Sequence, residues 1–198
     1  MTSWRDRLNQ FTGKTRFVVC RLFLHLAGSE VAPIMGVLNE LGRQAIDAEG
    51  DIEVLGEGLA ELCQTLLQYQ TYWRSAANEG DVLWNEGETG DYVNDLFMDS
   101  GQRYLSTTDA AVSSPDALAL PITQNLVIMI TVAATGEVPA LETDLASISA
   151  LTAGLKALTN LHDQQRLSAL QVHFSPAQLG DELTDDQLIA HYPELIPL

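Results

Sequence analysis

The sequence predicts an α+β domain in which a mixed or antiparallel sheet of about three to five strands is covered by helices. Three observations predict it. Residues 16–26 alternate with period two, Val18, Cys20, Leu22, Leu24 and Leu26 on one side and Val19, Arg21, Phe23 and His25 on the other, which is the repeat of a pleated strand. Residues 124–135 carry Leu126, Val127, Ile128, Met129, Ile130 and Val132, apolar on both parities and rich in β-branching, as expected of a central strand covered on both sides. Between and after these runs, apolar residues recur at helical spacing.

The elements follow in order. Ser3 and Asp6 are placed to cap a short helix, and Trp4, Leu8 and Phe11 fall at i, i+4 and i+7 on one face, giving a small amphipathic arm over residues 1–14. The first strand, from Arg16, ends at Gly28. Glu30 to Ala48 is a helix with Pro33 in its first turn and Gly50 as its stop. Leu55, Leu59, Leu62, Leu66 and Leu67 mark a second helix to about Gln70, packed on the first because the connection is so short. Tyr72 to Trp84, with Asn78, Gly80 and Asp81 between aromatics, reads as a loose hairpin or an edge strand. Tyr92, Val93, Leu96, Phe97 and Tyr104 line one side of a third helix whose other side stacks Asp91, Asp95 and Asp99. Residues 106–120, rich in Ser, Ala, Thr and Asp with Pro115, read as a connection. After the central strand, Thr143 to Thr159 repeats leucines and Ile148 at helical spacing, Arg166 to Phe174 alternates as a last strand, and Thr184 with Gln187 makes a capping box for a final helix closed by Pro193. Residues 15–198 form one α+β domain on this reading, alternatively two lobes, 15–105 and 121–198, joined by 106–120.

Length and charge exclude several classes. With 198 residues and 46% hydrophobic residues the chain is neither disordered nor a disulfide-framed miniprotein, and at this size about 70% of the chain surface can be buried. The net charge of −17 argues against a nucleic-acid partner, whose phosphates need a basic face. No stretch reaches the ~20 consecutive apolar residues of a membrane-spanning helix. Arg5, Arg7, Lys14 and Arg16 ahead of an apolar run ending Ala27-Gly28-Ser29 mimic a secretory leader, but Arg21 and His25 inside that run weigh against cleavage. Cys20 and Cys63 form no CxxC and are expected to be reduced, mostly buried thiols.

The charge is uneven. Residues 1–21 sum to +4 and residues 22–198 to −21, so a basic head precedes an acidic body. Asp91, Asp95 and Asp99 at i, i+4 and i+8 repel one another by roughly 0.2–0.5 kcal/mol per neighbouring pair, which asks for a compensating group. Unless the stripe is an ordinary solvated face, a basic protein partner would supply it. So would a divalent cation, with Glu86, Glu88, Asp91, Asp95 and Asp99 as oxygen ligands, although the regular loop of Asp, Asn and Gly at fixed offsets is missing. Gly56 and Gly58 lack the third glycine and preceding strand of a nucleotide loop, and there is no HExxH, GxSxG or Cys/His cluster. His25, His162, His173 and His191 have no metal-ligand spacing, so neither catalytic residues nor a cofactor are expected. Four cations in and just after the arm, Arg5, Arg7, Lys14 and Arg16, at about 1 kcal/mol each near an anionic bilayer sum to ~4 kcal/mol, only about millimolar binding. Partial burial of Trp4, Leu8 and Phe11 adds to this, so Trp4, Arg5, Arg7, Leu8 and Phe11 are expected to touch a partner or, weakly, a membrane surface.

The run Leu126-Val127-Ile128-Met129-Ile130-Thr131-Val132-Ala133-Ala134-Thr135-Gly136, the segment ending Val172-His173-Phe174-Ser175-Pro176, the pair Leu183-Thr184-Asp185-Asp186-Gln187-Leu188 and Tyr192-Pro193-Glu194-Leu195, and a weaker echo in Gly58-Leu59-Ala60-Glu61-Leu62 with Tyr72-Trp73 resemble the domain-of-unknown-function 1517 family of cyanobacteria and plastids. Members often carry a targeting region and a membrane span ahead of this domain, and this chain resembles a short form without the span. The resemblance implies a photosynthetic lineage and a setting in the cytoplasm or stroma or on the adjoining face of thylakoid or other membranes. It implies no reaction. The resulting expectation is a non-enzymatic interaction or regulatory protein that meets a protein partner or a second copy of itself. The alternative is an enzyme with a metal-assisted site in the acidic region 79–99.

Overall fold

A computed structural model describes residues 14–28, 31–109, 124–176, 181 and 183–198. Strand β1 (Phe17–Ala27) is followed by helices α1 (Ala32–Asp47) and α2 (Ile52–Gln68), a 3-10 turn at Gln70–Tyr72, strand β2 (Trp73–Leu83), helix α3 (Glu86–Asp109), strand β3 (Asn125–Thr135), helix α4 (Ile148–Asp163), strand β4 (Leu167–Ser175), helix α5 (Asp185–His191) and the two-residue strand β5 (Ile196–Pro197). The strands form one sheet in the order β4-β3-β1-β2-β5, every neighbouring pair antiparallel. The chain is an α+β fold. Strands from both sides of the 106–120 stretch meet in this sheet, because β1 pairs with β3 along its whole length.

The periodicities explain the layers. In β1, Val18, Cys20, Leu22, Leu24 and Leu26 enter the larger core, closed by α1, α2 and α4, while Val19 and Phe23 enter two smaller clusters beneath α3 and α5. Strand β3, buried from Leu126 to Ala134, does the same from the neighbouring position, which is why its sequence is apolar without alternation. Cys20 and Cys63 both lie in the larger core as free thiols, and burial pushes each up to about 12.

Three boundaries differ from the expectation, and one alternative is decided. Residues 73–83 are one continuous strand, the second of the two readings of 72–84, and not a hairpin: Gly80 makes no turn but gives room, since a Cβ there would lie 2.1 Å from the Val19 carbonyl oxygen. Helix α3 runs on to Asp109, so residues 106–109 of the expected connection are helical, and 110–120 lie outside the described residues, as do residues 1–13 of the arm. Helix α4 starts at Ile148 rather than Thr143, because Ser147 caps it by accepting from the Ala150 amide at 3.3 Å. Strand β5 was not legible as a strand at all.

The two sheet edges are treated differently. On β2, β5 pairs with Ser75 and Ala76, the Leu198 amide donates to the Arg74 carbonyl at 3.0 Å, and Asn78 bonds the loop before α4, donating to Thr143 O at 3.0 Å and accepting from the Leu145 amide at 2.8 Å. Among the described residues β4 has no strand on its outer side. None of its nine residues is a Lys, Arg, Asp, Glu or Pro.

Candidate functional site: an ion cluster and an open groove

Across β2, β1, β3 and β4 one row of side chains on the α3 face reads Glu79, Arg21, Thr131, Gln171. Arg21 is 3% exposed, so its guanidinium must be satisfied from within the protein. Its Nε donates to Glu79 Oε1 at 2.8 Å, and Nη1 donates to the Leu96 carbonyl at 3.1 Å and to Ser100 Oγ at 3.0 Å and pairs with Asp99 Oδ2 at 2.6 Å. Arg103 continues the chain of charges. Its Nε donates to the same Asp99 oxygen at 2.9 Å, and its Nη1 donates to the His191 carbonyl at 3.0 Å, at the end of α5, and to Glu194. Both guanidiniums lie against the Phe23 ring, 4.9 and 5.4 Å from its centroid. Burial raises Asp99, but the two arginines outweigh it and hold the carboxyl below its ordinary range. This arrangement fastens α3 and the end of α5 to the sheet, with its charges spent on one another.

The expected acidic face therefore divides. Asp99 turns inward to Arg21 and Arg103, which supply its compensation, while Asp91 and Asp95 are exposed on α3. Glu86 and Glu88 are exposed in the first turn of that helix, where its dipole favours a carboxylate. Among the described residues no three or more His, Cys, Asp or Glu side chains gather to hold a metal ion. No helix among the described residues is long and apolar enough to cross a membrane. Trp4, Arg5, Arg7, Leu8 and Phe11 lie outside the described residues. In the sequence Arg21 stands out only as an interruption of an apolar strand; its partners are 58 and 78 residues away and become visible only with the register.

His25 and His173 lie on the same face as Arg21. His25 shares hydrogen bonds with Ser75 Oγ through Nδ1 and Asn125 Oδ1 through Nε2, each 3.1 Å, and burial lowers its pKa against the smaller opposing effect of Asn125. Burial lowers His173 as well.

On the opposite face, helix α1 buries Ile34, Met35 and Leu38 in its first half but leaves Leu41 and Ala45 half-buried and Ile46 77% exposed in its second. The second half of α1 thus lifts off the core. It leaves a groove of about 260 Å³, floored by Leu59 and Leu62 of α2 and walled by the half-buried Leu170, Val172 and Phe174 of β4. The two helices are acidic overall: residues 32–68 hold seven carboxylates against one cation, Arg43, which pairs with Glu40, but no carboxylate lines the groove itself, and Glu53 lies beside His162 of α4. The groove escaped the sequence reading because α1 keeps its helical apolar spacing along its whole length, and only the tertiary path shows where that face loses its cover.

No curated protein and no solved structure matches the chain significantly. A family model described as protein of unknown function (DUF1517) matches residues 16–198, from the first strand through the final one, and the chain belongs to that family.

Proposed function

We propose that this protein is a non-enzymatic interaction or regulatory module whose groove between α1, α2 and β4 receives a basic amphipathic segment. The observation that carries the reading is an apolar channel between two helices that together hold seven carboxylates against one cation, beside a sheet edge that bears no charge. Apolar walls accept the hydrophobic face of a helix, and the net negative charge of α1 and α2 attracts its cations and raises the rate of encounter. Strand β4 carries no Lys or Pro and its register irregularity, at Ser168, lies at its start, so the stretch from Ala169 on is the kind of edge that proteins otherwise protect and is suited to being covered. Asp91 and Asp95, on the other side of the sheet, are a second acidic stripe without apolar surface of comparable extent, and they serve as the comparison. The setting in a photosynthetic cell, in the cytoplasm or stroma or peripheral on a thylakoid or other membrane, is part of the same proposal and follows from the family likeness.

The test is titration with a designed amphipathic peptide of leucine and lysine. Ala45→Arg, which places a cation and bulk in the groove, is expected to weaken binding by about tenfold, or about 1.4 kcal/mol, whereas Asp91→Asn with Asp95→Asn leaves it within about twofold. The opposite ranking would move the site to α3 and overturn the groove.

A further inference from the structure

The outer edge of β4 and the groove beside it form one cleft. We infer that its occupant is an extended, cationic segment of a partner protein that adds antiparallel to β4 as a further strand and sends every second side chain, an apolar one, into the groove between β4 and α1. This rests on the groove being an interaction site and fixes the conformation of what it receives.

The direction of the backbone groups follows from the ladder. Antiparallel strands exchange hydrogen bonds at every second residue, so along an inner strand successive residues turn their N–H and C=O toward opposite neighbours. At the two ends of the β1–β3 pairing the Gly28 amide donates to the Gln124 carbonyl and the Gly136 amide to the Arg16 carbonyl, each at 2.8 Å. Counted in twos from those ends, Leu126, Ile128, Ile130, Val132 and Ala134 bond β1, which leaves Val127, Met129, Thr131 and Ala133 to bond β4. The Thr135 amide, donating to the Arg166 carbonyl at 3.0 Å, keeps the same alternation. On β4 the partners of these residues, Ser175, His173, Gln171 and Ala169, therefore face β3, and Leu170, Val172 and Phe174 turn their N–H and C=O outward. Among the described residues no hydrogen bond reaches these outward groups.

The same three residues wall the groove with their side chains. Opposed residues of an antiparallel pair share a face, so a strand bonded to Leu170, Val172 and Phe174 places the residues opposite them in the groove, against the half-buried Leu41 and Ala45 of α1. From Leu170 to Phe174 is about 14 Å, the length of three such side chains in a row. A helix would fill the groove and leave the edge unpaired. A strand satisfies both, its main chain supplying affinity and its alternate side chains specificity. The residue opposite Gln171 lies on the other face of the sheet, where Gln171 Oε1 is buried and accepts no hydrogen bond among the described residues, so a lysine or arginine there brings a donor to its side. Charge sets the rest of the composition. No carboxylate lines the groove, so what enters it is apolar, but residues 32–68 hold seven carboxylates against one cation and attract basic residues between and beyond the apolar ones, whereas a second copy of this chain, at −17, is repelled.

Strand addition is tested on the full chain with a peptide of about seven residues alternating leucine with lysine, N-methylated at one residue at a time and titrated by calorimetry. Its leucines turn both side chain and N–H toward the protein, so N-methylation of an inner leucine is expected to weaken binding by about tenfold, and N-methylation of an inner lysine, whose N–H faces solvent, to change it by less than about twofold. In hydrogen exchange followed by NMR, the Leu170, Val172 and Phe174 amides are expected to exchange faster than those of Gln171 and His173 in the free protein and to slow by about tenfold or more with peptide bound. Equal effects of the two methylations, or no protection of those three amides, would overturn strand addition, and if Ala45→Arg still weakens binding the groove stands as a site for a helix. Absence of binding both by this peptide and by one with leucines at helical spacing would sink the groove as well. A dimer in sedimentation equilibrium that the peptide dissociates would give the edge to a second copy and overturn the partner segment as its occupant.

Discussion

Arg21 has no water to fall back on, and its removal strands Glu79 and half of the environment of Asp99. Breaking a buried pair from one side costs about 3–5 kcal/mol, but both carboxylates are nearly half exposed and recover hydration, so Arg21→Ala is expected to cost about 2–3 kcal/mol in urea unfolding. Arg21→Met, which keeps the contact with Phe23 and fills the volume, is expected to cost less than Arg21→Ala. His25 and His173 set the acid limb. Because burial depresses both folded pKa values, the unfolded chain binds more protons as the pH falls past about 6.5, so the stability these residues contribute is complete above that value and is lost through the folded pKa values below it. Urea midpoints are expected to fall between about pH 7 and pH 5, and His25→Gln is expected to flatten that decline. Arg21 and His25 were visible in the sequence only as interruptions of an apolar pattern. Their meaning lies in cross-strand register, which pairs residues 58 and 50 apart and which no local spacing encodes.

At the scale of elements, β1 and β2 approach so closely at Gly80 that a methyl group there would run into the backbone of β1, 2.1 Å from Val19 O and 3.0 Å from Cys20 Cα. Backbone cannot step aside without breaking the ladder, so Gly80→Ala is expected to cost about 2 kcal/mol or more by thermal or urea unfolding. Gly56 is the contrast. There an added Cβ would lie 2.4 Å from His162 Nδ1 and 3.1 Å from its Cγ, so what must shift is the imidazole in the last turn of α4 and not backbone, and helix interiors favour Ala over Gly by roughly 0.5–1 kcal/mol. Gly56→Ala is expected to lie within about 1 kcal/mol of the parent. The helices and the two central strands were legible because burial on one or both faces writes a period into the sequence: Val18 to Leu26 and Leu126 to Ala134 alternate or run apolar as their layers require. Strand β2 was legible only as one of two alternatives, because its second half, from Glu79 on, has little cover and so carries little apolar pattern. Strand β5 is two residues long, too short for any period to show.

The whole molecule carries −17 charges, and the six ion pairs among the described residues engage only Arg16, Arg21, Arg43 and Arg103. Repulsion between the surplus carboxylates outweighs these pairs at low ionic strength, where screening reaches only over roughly 30 Å at 0.01 M against 8 Å at physiological salt. The melting temperature is therefore expected to rise as sodium chloride is added from about 0.01 to 0.15 M, and a fall would mean that the arginine cluster dominates. The order of the sheet has a further consequence, for synthesis. Strand β1 holds the centre yet leaves the ribosome first, and its partners follow only at residues 73–83 and 125–135. An eleven-residue hydrophobic ribbon waits with two open edges until β2 is made and with one until β3 is, so the nascent chain is a natural client for a holding chaperone until β3 emerges.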